Sequence, residues 1–438
     1  MRNMSKETQS HSALENKGRN TSRHLAKRYA SERRFIWYTR VAILLALSAL
    51  VVLLFAICSR GYTAFVQTEI ATTIFFDELE IDPDGNRDSA VLKRANYTAL
   101  IKTALYKQFP DAETRQQKRA LYKLIGSSMG LELRKMILAD PSLIGTSQRI
   151  WFTASDDVDM AVKGKMPRDV PETQRRLSDQ QLSWLETLES ADQVRTVFNT
   201  MFLTTGDSRE PELAGIWGAM VGSFWMMAVC IALSVPFGVM TAIYLEEFAP
   251  SNKFTDLIEV NINNLAAVPS IIFGLLGLAM FLSLFGLPRS APLVGGMVLA
   301  LMTLPTVIIA ARASLKAVPP SIREGALGIG ASQMQTVLHH VLPLAVPGIL
   351  TGTIIGMARA LGESAPLLMI GMVAFIVDVP SGPLDASTAL PVQVYLWSDN
   401  PERAFIEKTS AAIMVLLAFL ITMNGAAVYL RRKFERRW

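Results

Sequence analysis

Six stretches of this 438-residue chain are apolar for about 18 residues or more: 41–58, about 214–244, 265–287, 292–311, 344–377 and 409–430. A run of that length, at ~1.5 Å per residue, crosses the ~30 Å hydrocarbon layer of a membrane as a helix. The rest of the composition agrees, with 50% of residues hydrophobic, 18% charged and a mean hydropathy of +0.29. The pattern excludes an ordinary soluble protein. It predicts an all-α polytopic membrane protein of six transmembrane helices.

The net charge of +5 is concentrated at the ends. Lys and Arg crowd residues 1–40 and the terminal "RRKFERRW", 431–438. In a membrane protein such ends stay in the cytoplasm, which requires an even number of spans, as the six runs provide. The first span, 41–58, follows a long basic tail, has no small-residue cleavage site close behind it, and has Ile57 just before Cys58. It is expected to be an uncleaved signal anchor. Alternation then places 59–213, 288–291 and 378–408 outside, and 245–264 and 312–343 inside. Arg312, Lys316 and Arg323 support the inside position of 312–343, while Glu246, Glu247 and Glu259 give 245–264 no support. Cys58 and Cys230 both lie in apolar runs, so no disulfide framework is expected and both read as small buried hydrophobes.

Residues 59–213 are long and polar enough for a separate domain, expected to be α+β and mainly helical. "SAVLKRANYTALIKTALYKQF" places Leu92, Ala95, Ala99, Ile101 and Leu105 roughly along one helical face. "ETRQQKRALYKLIG" and "LSDQQLSWLETL" also read as helices, and "QRIWFTASDDV" as a strand entering a turn. Asp156, Asp157 and Asp159 lack the glycine and terminal Glu of a calcium loop, so they read as a solvated turn.

The inside segment "VPPSIREGALGIGASQMQTVLHHVLP", 318–343, carries the most information. Ser321 stands three residues before Glu324, the spacing of a capping box that opens a helix. Gly328 and Gly330 end that helix, and a second, about 332–342, closes at Pro343. The segment is either an ordinary structured loop or a docking element for a soluble partner. His339 and His340 point about 100° apart on a helix and cannot chelate one ion together.

The segment resembles the EAA loop of ABC-importer permeases: Glu-Ala-Ala, three residues, Gly, nine residues, an aliphatic residue, one residue, Leu-Pro. Here Glu324, Gly325 and Ala326 are followed by Gly330 and by Leu342 and Pro343 at that spacing. Gly325 replaces the first Ala, and His340 replaces the aliphatic residue. The resemblance implies that these residues seat in a groove on a separate ATPase subunit, with Glu324 both capping the helix and contacting that subunit.

Arg359 and Glu363 stand four apart inside an apolar run. Ionisable residues at that depth are costly and by default face a bundle interior or a watery path. Arg359 lies about 22 Å along a helix from Leu344, at ~1.5 Å per residue, past the midplane. Three readings stay open: a structural ion pair, an arginine that meets an anion in transit through its planar fork of donors, or a gating contact with a partner subunit. Gly348, Gly352 and Gly356 form a small-residue ridge for close helix packing. Pro366 is expected to interrupt the helix just after Glu363.

"ALGESAPLLMIGM", "NNLAAVPSIIFGLLGL" and "YLEEFAP" resemble phosphate-transporter permeases of the PstA type, from about 215 to 438. Sulfate and molybdate permeases share the Arg-Ala-x-Gly-Glu pattern but continue Phe-Gly-Ala, where this chain has Ser364, Ala365 and Pro366. The external segment, most of all "FNTMFLTTGDSREPELAGI", resembles an N-terminal extension of some such permeases. The resemblance implies a multi-pass protein of the bacterial inner membrane with both termini cytoplasmic, in the type I ABC-importer arrangement. It implies a second homologous permease, an ATPase dimer carrying ATP and Mg, and a periplasmic phosphate-binding protein as partners. It also places Arg359, Glu363, Ser364, Pro269 and Ser270 along the substrate path or its gate. No Gly-x4-Gly-Lys-Ser/Thr loop occurs, so P-loop nucleotide binding is not expected in this chain, nor is nucleic-acid binding. Alternatives are a permease for sulfate, molybdate or another oxyanion, and a membrane sensor of phosphate.

Overall fold

A computed structural model describes residues 4–373 and 375–434, with side chains for 28–373 and 375–433. The charged side chains before Arg28 and the end of the tail, 435–438, lie outside the described residues. The chain divides into two units, 1–59 and 60–438. The first is built on α1, Met4–Gly61, whose apolar part carries a mean hydropathy of 3.1.

The second unit opens with a three-stranded sheet, of which the sequence announced one strand, the start of "QRIWFTASDDV". Strand β1, Val66–Phe75, pairs antiparallel with β2, Ser147–Thr153, and β3, Val194–Phe198, in the order β2–β1–β3. Ile70 stands opposite Phe152 and Val194, and Glu69 opposite Thr153 and Arg195. The register sends Ile70, Ile74 and Phe152 into a core, while Arg195 pairs with Glu69 and stacks on Trp151 on the other face. Helices cover the core face: α2, Glu78–Ile81; α3, Ser89–Arg94; α4, Tyr97–Gln108; α5, Arg115–Tyr122; α6, Met129–Ala139; α7, Asp156–Val162; and α8, Asp179–Ser190. Thr114 with Gln117, and Ser178 with Gln181, form the capping boxes that start α5 and α8.

Two expectations for this domain are corrected. The stretch 89–109 is two helices, because Ala95 turns extended and Asn96 caps a new start by accepting from the Ala99 N–H. Asp156, Asp157 and Asp159 form the first turn of α7, where exposed N–H groups favour carboxylates. Asp159 accepts from the Thr68 N–H at 2.8 Å and ties α7 to β1.

After the short α9, Thr200–Thr204, come the apolar helices α10, Trp217–Ile243; α11, Lys253–Ala266; α12, Ser270–Gly277; and α13, Pro292–Lys316. Then follow α14, Pro320–Gly328; α15, Gln333–Thr336; α16, Leu342–Gly362; α17, Ala365–Met369; α18, Leu390–Ser398; and α19, Ala404–Phe434. Among the described residues five helices are long and apolar enough to cross a membrane, or six if the bent pair α11 and α12 counts as one.

That pair corrects the expected span 265–287. A 101° bend at Ala267–Pro269 separates α11, which occupies the expected loop 245–264, from an arm that ends at Leu284. The arm is at most about 22 Å long, less than the ~30 Å core. The expected span 344–377 also ends early. α16 stops at Gly362 and Glu363 is extended, so the interruption expected at Glu363 is present, with Pro366 in the first turn of the next helix, α17.

α13 is the most enclosed of the candidate spans. Glycines set its approach to its neighbours. A Cβ on Gly296 would stand 2.6 Å from the Met226 carbonyl oxygen of α10, and one on Gly238 would stand 2.7 Å from Val307. The expected ridge on α16 is present, with Gly348 against Ser314, Gly352 against Ala310 and Gly356 against Thr303.

The 60–213 domain seats on the start of α19 and on the segment before it. Lys163 Nζ lies 2.9 Å from Glu407 Oε1 and also pairs with Asp159, while Thr63 donates to Glu407 Oε2 at 2.6 Å. Lys408 Nζ donates to the Ala214 carbonyl at 2.9 Å, and the Trp397 indole N–H donates to Asp207 at 2.9 Å. Glu212 is buried beside this cluster and accepts a long 3.4 Å bond from the Ser127 N–H.

Two predictions follow from this packing. Gly352→Val forces a side chain into Ala310 and should destabilise the protein by about 1–3 kcal/mol, read as a lower thermal midpoint in detergent. An unchanged midpoint would show that α13 and α16 do not pack this closely. Burial, with Asp156 and Glu210 nearby, pushes the Glu212 carboxyl up to about 7 from 4.5. Between those values the folded protein holds a proton that the unfolded chain has lost, so stability falls as pH rises from about 4.5 to about 7. The midpoint should drop from pH 5 to pH 8 less steeply in Glu212→Gln than in the native protein. Identical slopes would count against a buried, protonated Glu212.

Candidate functional site

The 318–343 segment leaves α13 at Lys316 and forms two helices, as the sequence predicts, but by different devices. Pro319 takes the N-cap position of α14 and Ser321 lies within the helix, so the expected capping box of Ser321 with Glu324 does not form. Proline fixes the first-turn backbone and lacks only an N–H that would be unpaired there. The capping box lies later, where Ser332 accepts from the Gln335 N–H and Gln335 reaches back to the Ser332 N–H.

Gly330 turns the chain between the two helices with φ of 92°, a left-handed conformation suited to glycine. The Ala331 N–H donates to the Ala326 carbonyl and the Gly330 N–H to the Leu327 carbonyl, which completes a Schellman closure. The second helix does not close at Pro343. A wide π-type turn, Val337–Val341, carries α15 into α16 without a break, and Leu342 and Pro343 form the first turn of α16. The wide turn accommodates the ring and the missing N–H of Pro343.

This arrangement separates an outward face from an inward one. Glu324 is exposed, with no hydrogen bond or ion pair to another described residue. Gly325 has open space where a Cβ would stand, while Ala326 is buried. Leu327, Ile329, Met334 and Leu338 are exposed around the turn, Ile329 at 83%. Arg323 faces inward to Glu247, with Nη2 to Oε1 at 2.6 Å. Arg312 pairs with Glu259 at 2.6 Å and approaches Glu246 at 3.6 Å, where Lys316 also arrives. The acidic residues of 245–264, which counted for nothing in the charge rule, therefore hold the basic residues of 312–323. The signal was in the sequence, since opposite charges cluster at the ends of two apolar runs, but the pairing depends on helix packing.

The second group of residues lies where the helices break. Arg359 sits in the last turn of α16, near its unpaired carbonyls, where a cation is favoured. Its Nε is 3.7 Å from Glu363 Oε1. The pair is not buried within the chain: the Arg359 side chain is 54% exposed, and Glu363, beyond the helix end, is 22% exposed. Ser364 follows at the start of α17. Gly274 of α12 packs on the Pro366 backbone, with a would-be Cβ at 2.7 Å. Ser270 therefore lies one helical turn from that contact, with Pro269 before it at the 101° bend. Two broken helices meet here, and Arg359 offers free guanidinium donors beside them.

Helices long and apolar enough to span a membrane, a projecting helix–turn–helix segment with an exposed acidic and apolar face, and a charged helix break fit the membrane component of a transport system. Residues 234–436 match the family described as binding-protein-dependent transport system inner membrane component, and residues 22–172 match a domain of unknown function (DUF3333). The phosphate transport system permease protein PstA 1 of Mycobacterium tuberculosis H37Rv is 32% identical over 225 residues, covering 51% of this chain and 71% of that protein. The PstA of Mycobacterium leprae is 33% identical over 216 residues, covering 49% and 70%. A chain of the MetNI methionine ABC transporter is 17% identical, with a TM-score of 0.42 over 50% of this chain and 98% of that one. The chain belongs to the PstA-type family of phosphate-transport permeases.

Proposed function

We propose that this chain is the membrane-spanning permease subunit of an ATP-driven importer that carries inorganic phosphate across the bacterial inner membrane. The observation that supports this best is the projecting 318–343 segment. Its buried side is fixed to the bundle, and its free side offers Glu324, Leu327, Ile329, Met334 and Leu338. Exposed apolar residues ringed by polar ones are what a protein partner covers. That partner is a separate ATPase, which carries the ATP and Mg. The named phosphate-transport relatives support the substrate.

A second, similar permease completes the path. Arg359 and the break at Glu363–Ser364 face it from this chain, and the α12 start at Pro269 and Ser270 lines the approach. The Arg359 fork suits a tetrahedral oxyanion, and Glu363 tempers its charge so that the ion can leave. The 60–213 domain stands outside with the 378–408 segment, on the side where a phosphate-binding protein delivers its cargo, and both termini are cytoplasmic.

The test is uptake of labelled phosphate at micromolar concentration, in cells lacking this gene and in the same cells complemented, with excess sulfate as competitor. Uptake should return with the gene and ignore sulfate, whereas abolition by sulfate would move the substrate to another oxyanion. Arg359→Gln should weaken apparent affinity about tenfold or more, since a hydrogen bond to a charged group is worth roughly 1.5–3 kcal/mol. Full uptake at unchanged affinity would assign Arg359 to structure alone.

A further inference from the structure

The inward side of the 318–343 segment converges on one residue of α10. Past Ile243, α10 continues into a wide turn, Tyr244–Phe248, that carries Glu246 and Glu247. Glu247 is the more enclosed, with its side chain 8% exposed. The Arg323 guanidinium meets it through Nη2 at 2.6 Å and through Nε at 3.2 Å to both carboxylate oxygens. The same guanidinium donates to the carbonyls of Leu315 at 3.0 Å and Val318 at 2.8 Å, which close the end of α13. One side chain therefore ties α14 to both α10 and α13. The Glu247 backbone carbonyl also accepts from Gln333 Nε2 at the start of α15. Both helices of the segment thus hold to the end of α10 at a single position.

The neighbouring contacts are of a different kind. Glu324, one residue after Arg323, points away from the bundle and is exposed. Ser332 and Gln335 cap their own helix. A push on the outer face of α14 reaches α10 and α13 through Arg323. A planar, bidentate guanidinium–carboxylate pair, half-enclosed and with its remaining donors on backbone carbonyls, resists rotation as well as stretching.

We infer that Glu247 and Arg323 are positioning residues for transport: the pair is the joint through which movement of the 318–343 segment, driven by ATP on the partner, turns α10 and α13. The inference rests on the transport reading above. Without the joint, the segment would still seat on its ATPase, but its motion would be lost in the loop.

The experiment uses the complete importer in proteoliposomes, with its ATPase and binding protein, and measures phosphate carried per ATP hydrolysed. Arg323→Gln and Glu247→Gln should each lower that ratio about fivefold or more, the lower end of ordinary site-to-site coupling, while ATP hydrolysis continues. Residues that act as one unit do not add, so the double variant should be no worse than the worse single one. If a single variant fails to assemble because it strands a half-buried charge, the double variant removes both charges together and gives the same reading. A native ratio in the variants, or losses that multiply in the double, would overturn the joint while leaving phosphate transport intact. A native importer that carries no phosphate would instead remove the transport reading and this inference with it.

Discussion

The close seating of α13 between α10 and α16 is the constraint on which the membrane part depends. In hydrocarbon, apolar surface gives helices little reason to associate, so short interaxial distance and good contact must hold them together. Small residues supply that distance on both sides of α13: Gly238 and Gly296 toward α10, and Gly348, Gly352 and Gly356 toward α16. Bulkier residues then fill the remaining space, with Met226, Val294, Val298, Leu299 and Met357 in one buried cluster. Thr303 is satisfied within its own helix, donating to the Leu299 carbonyl at 2.6 Å. At one end of α13, Arg312 pairs with α11 and approaches the turn after α10, and at the other the Leu293 N–H donates to the Pro383 carbonyl.

The breaks in the other helices depend on that rigid centre. A helix interrupted at membrane depth exposes N–H and C=O groups that lipid cannot satisfy, so interruptions persist only against protein or a watery path. The α16 break is backed by α12, where Gly274 admits the Pro366 backbone and Gly277 admits Val298 and Ile370. The Ser290 hydroxyl donates to the Gly371 carbonyl at 2.8 Å just beyond it. The charge of Arg359 sits at this supported gap and not along a lipid-facing helix. A guanidinium at the C-terminal end of α16, beside the unpaired carbonyls of its last turn, is held in place without being neutralised by them.

The apolar runs were legible because length and hydropathy report burial in lipid directly. α10, α13 and α19 fall where those runs place them, and the Gly348–Gly352–Gly356 ridge packs as its spacing predicts. The broken helices were not legible, because hydropathy is blind to a change of direction. Val268 and Pro269 mark the bend between α11 and α12, yet the apolar run continues through them. Pro343 misled in the opposite sense: it suggests a stop, but the preceding wide turn absorbs it. In the 60–213 domain β2 was legible in "QRIWFTASDDV", but its central partner β1, "VQTEIATTIF", was not, because it is buried on both faces for much of its length and shows no clean alternation. At the candidate site the residue types of the 318–343 segment were readable, but Glu247 was not, since a pair 76 residues apart is created by packing alone.

The two ends of α10 then take on different tasks. Its start lies against the segment that precedes α18 and carries part of the seat of the 60–213 domain, where Gly222 meets Ser387 and Thr388 and the Leu390 N–H donates to Ser223 at 2.8 Å. Its far end holds α14 through Glu247 and approaches α13 through Glu246. A helix of 27 residues, about 40 Å at ~1.5 Å per residue, links the two as one element, with one bond of its ladder missing at Pro236. The domain side is fixed by Lys163 and Thr63 on Glu407, and by Lys408 on the Ala214 carbonyl. Lys163 and Glu407 are both enclosed, at 5% and 8% side-chain exposure, so removing either one would leave the other buried and unpaired, at a cost of several kcal/mol. Motion applied at the 318–343 end therefore has no soft joint at the domain end in which to dissipate. The chain changes direction between, at the 101° bend before α12 and at the break after Gly362, beside the exposed donors of Arg359.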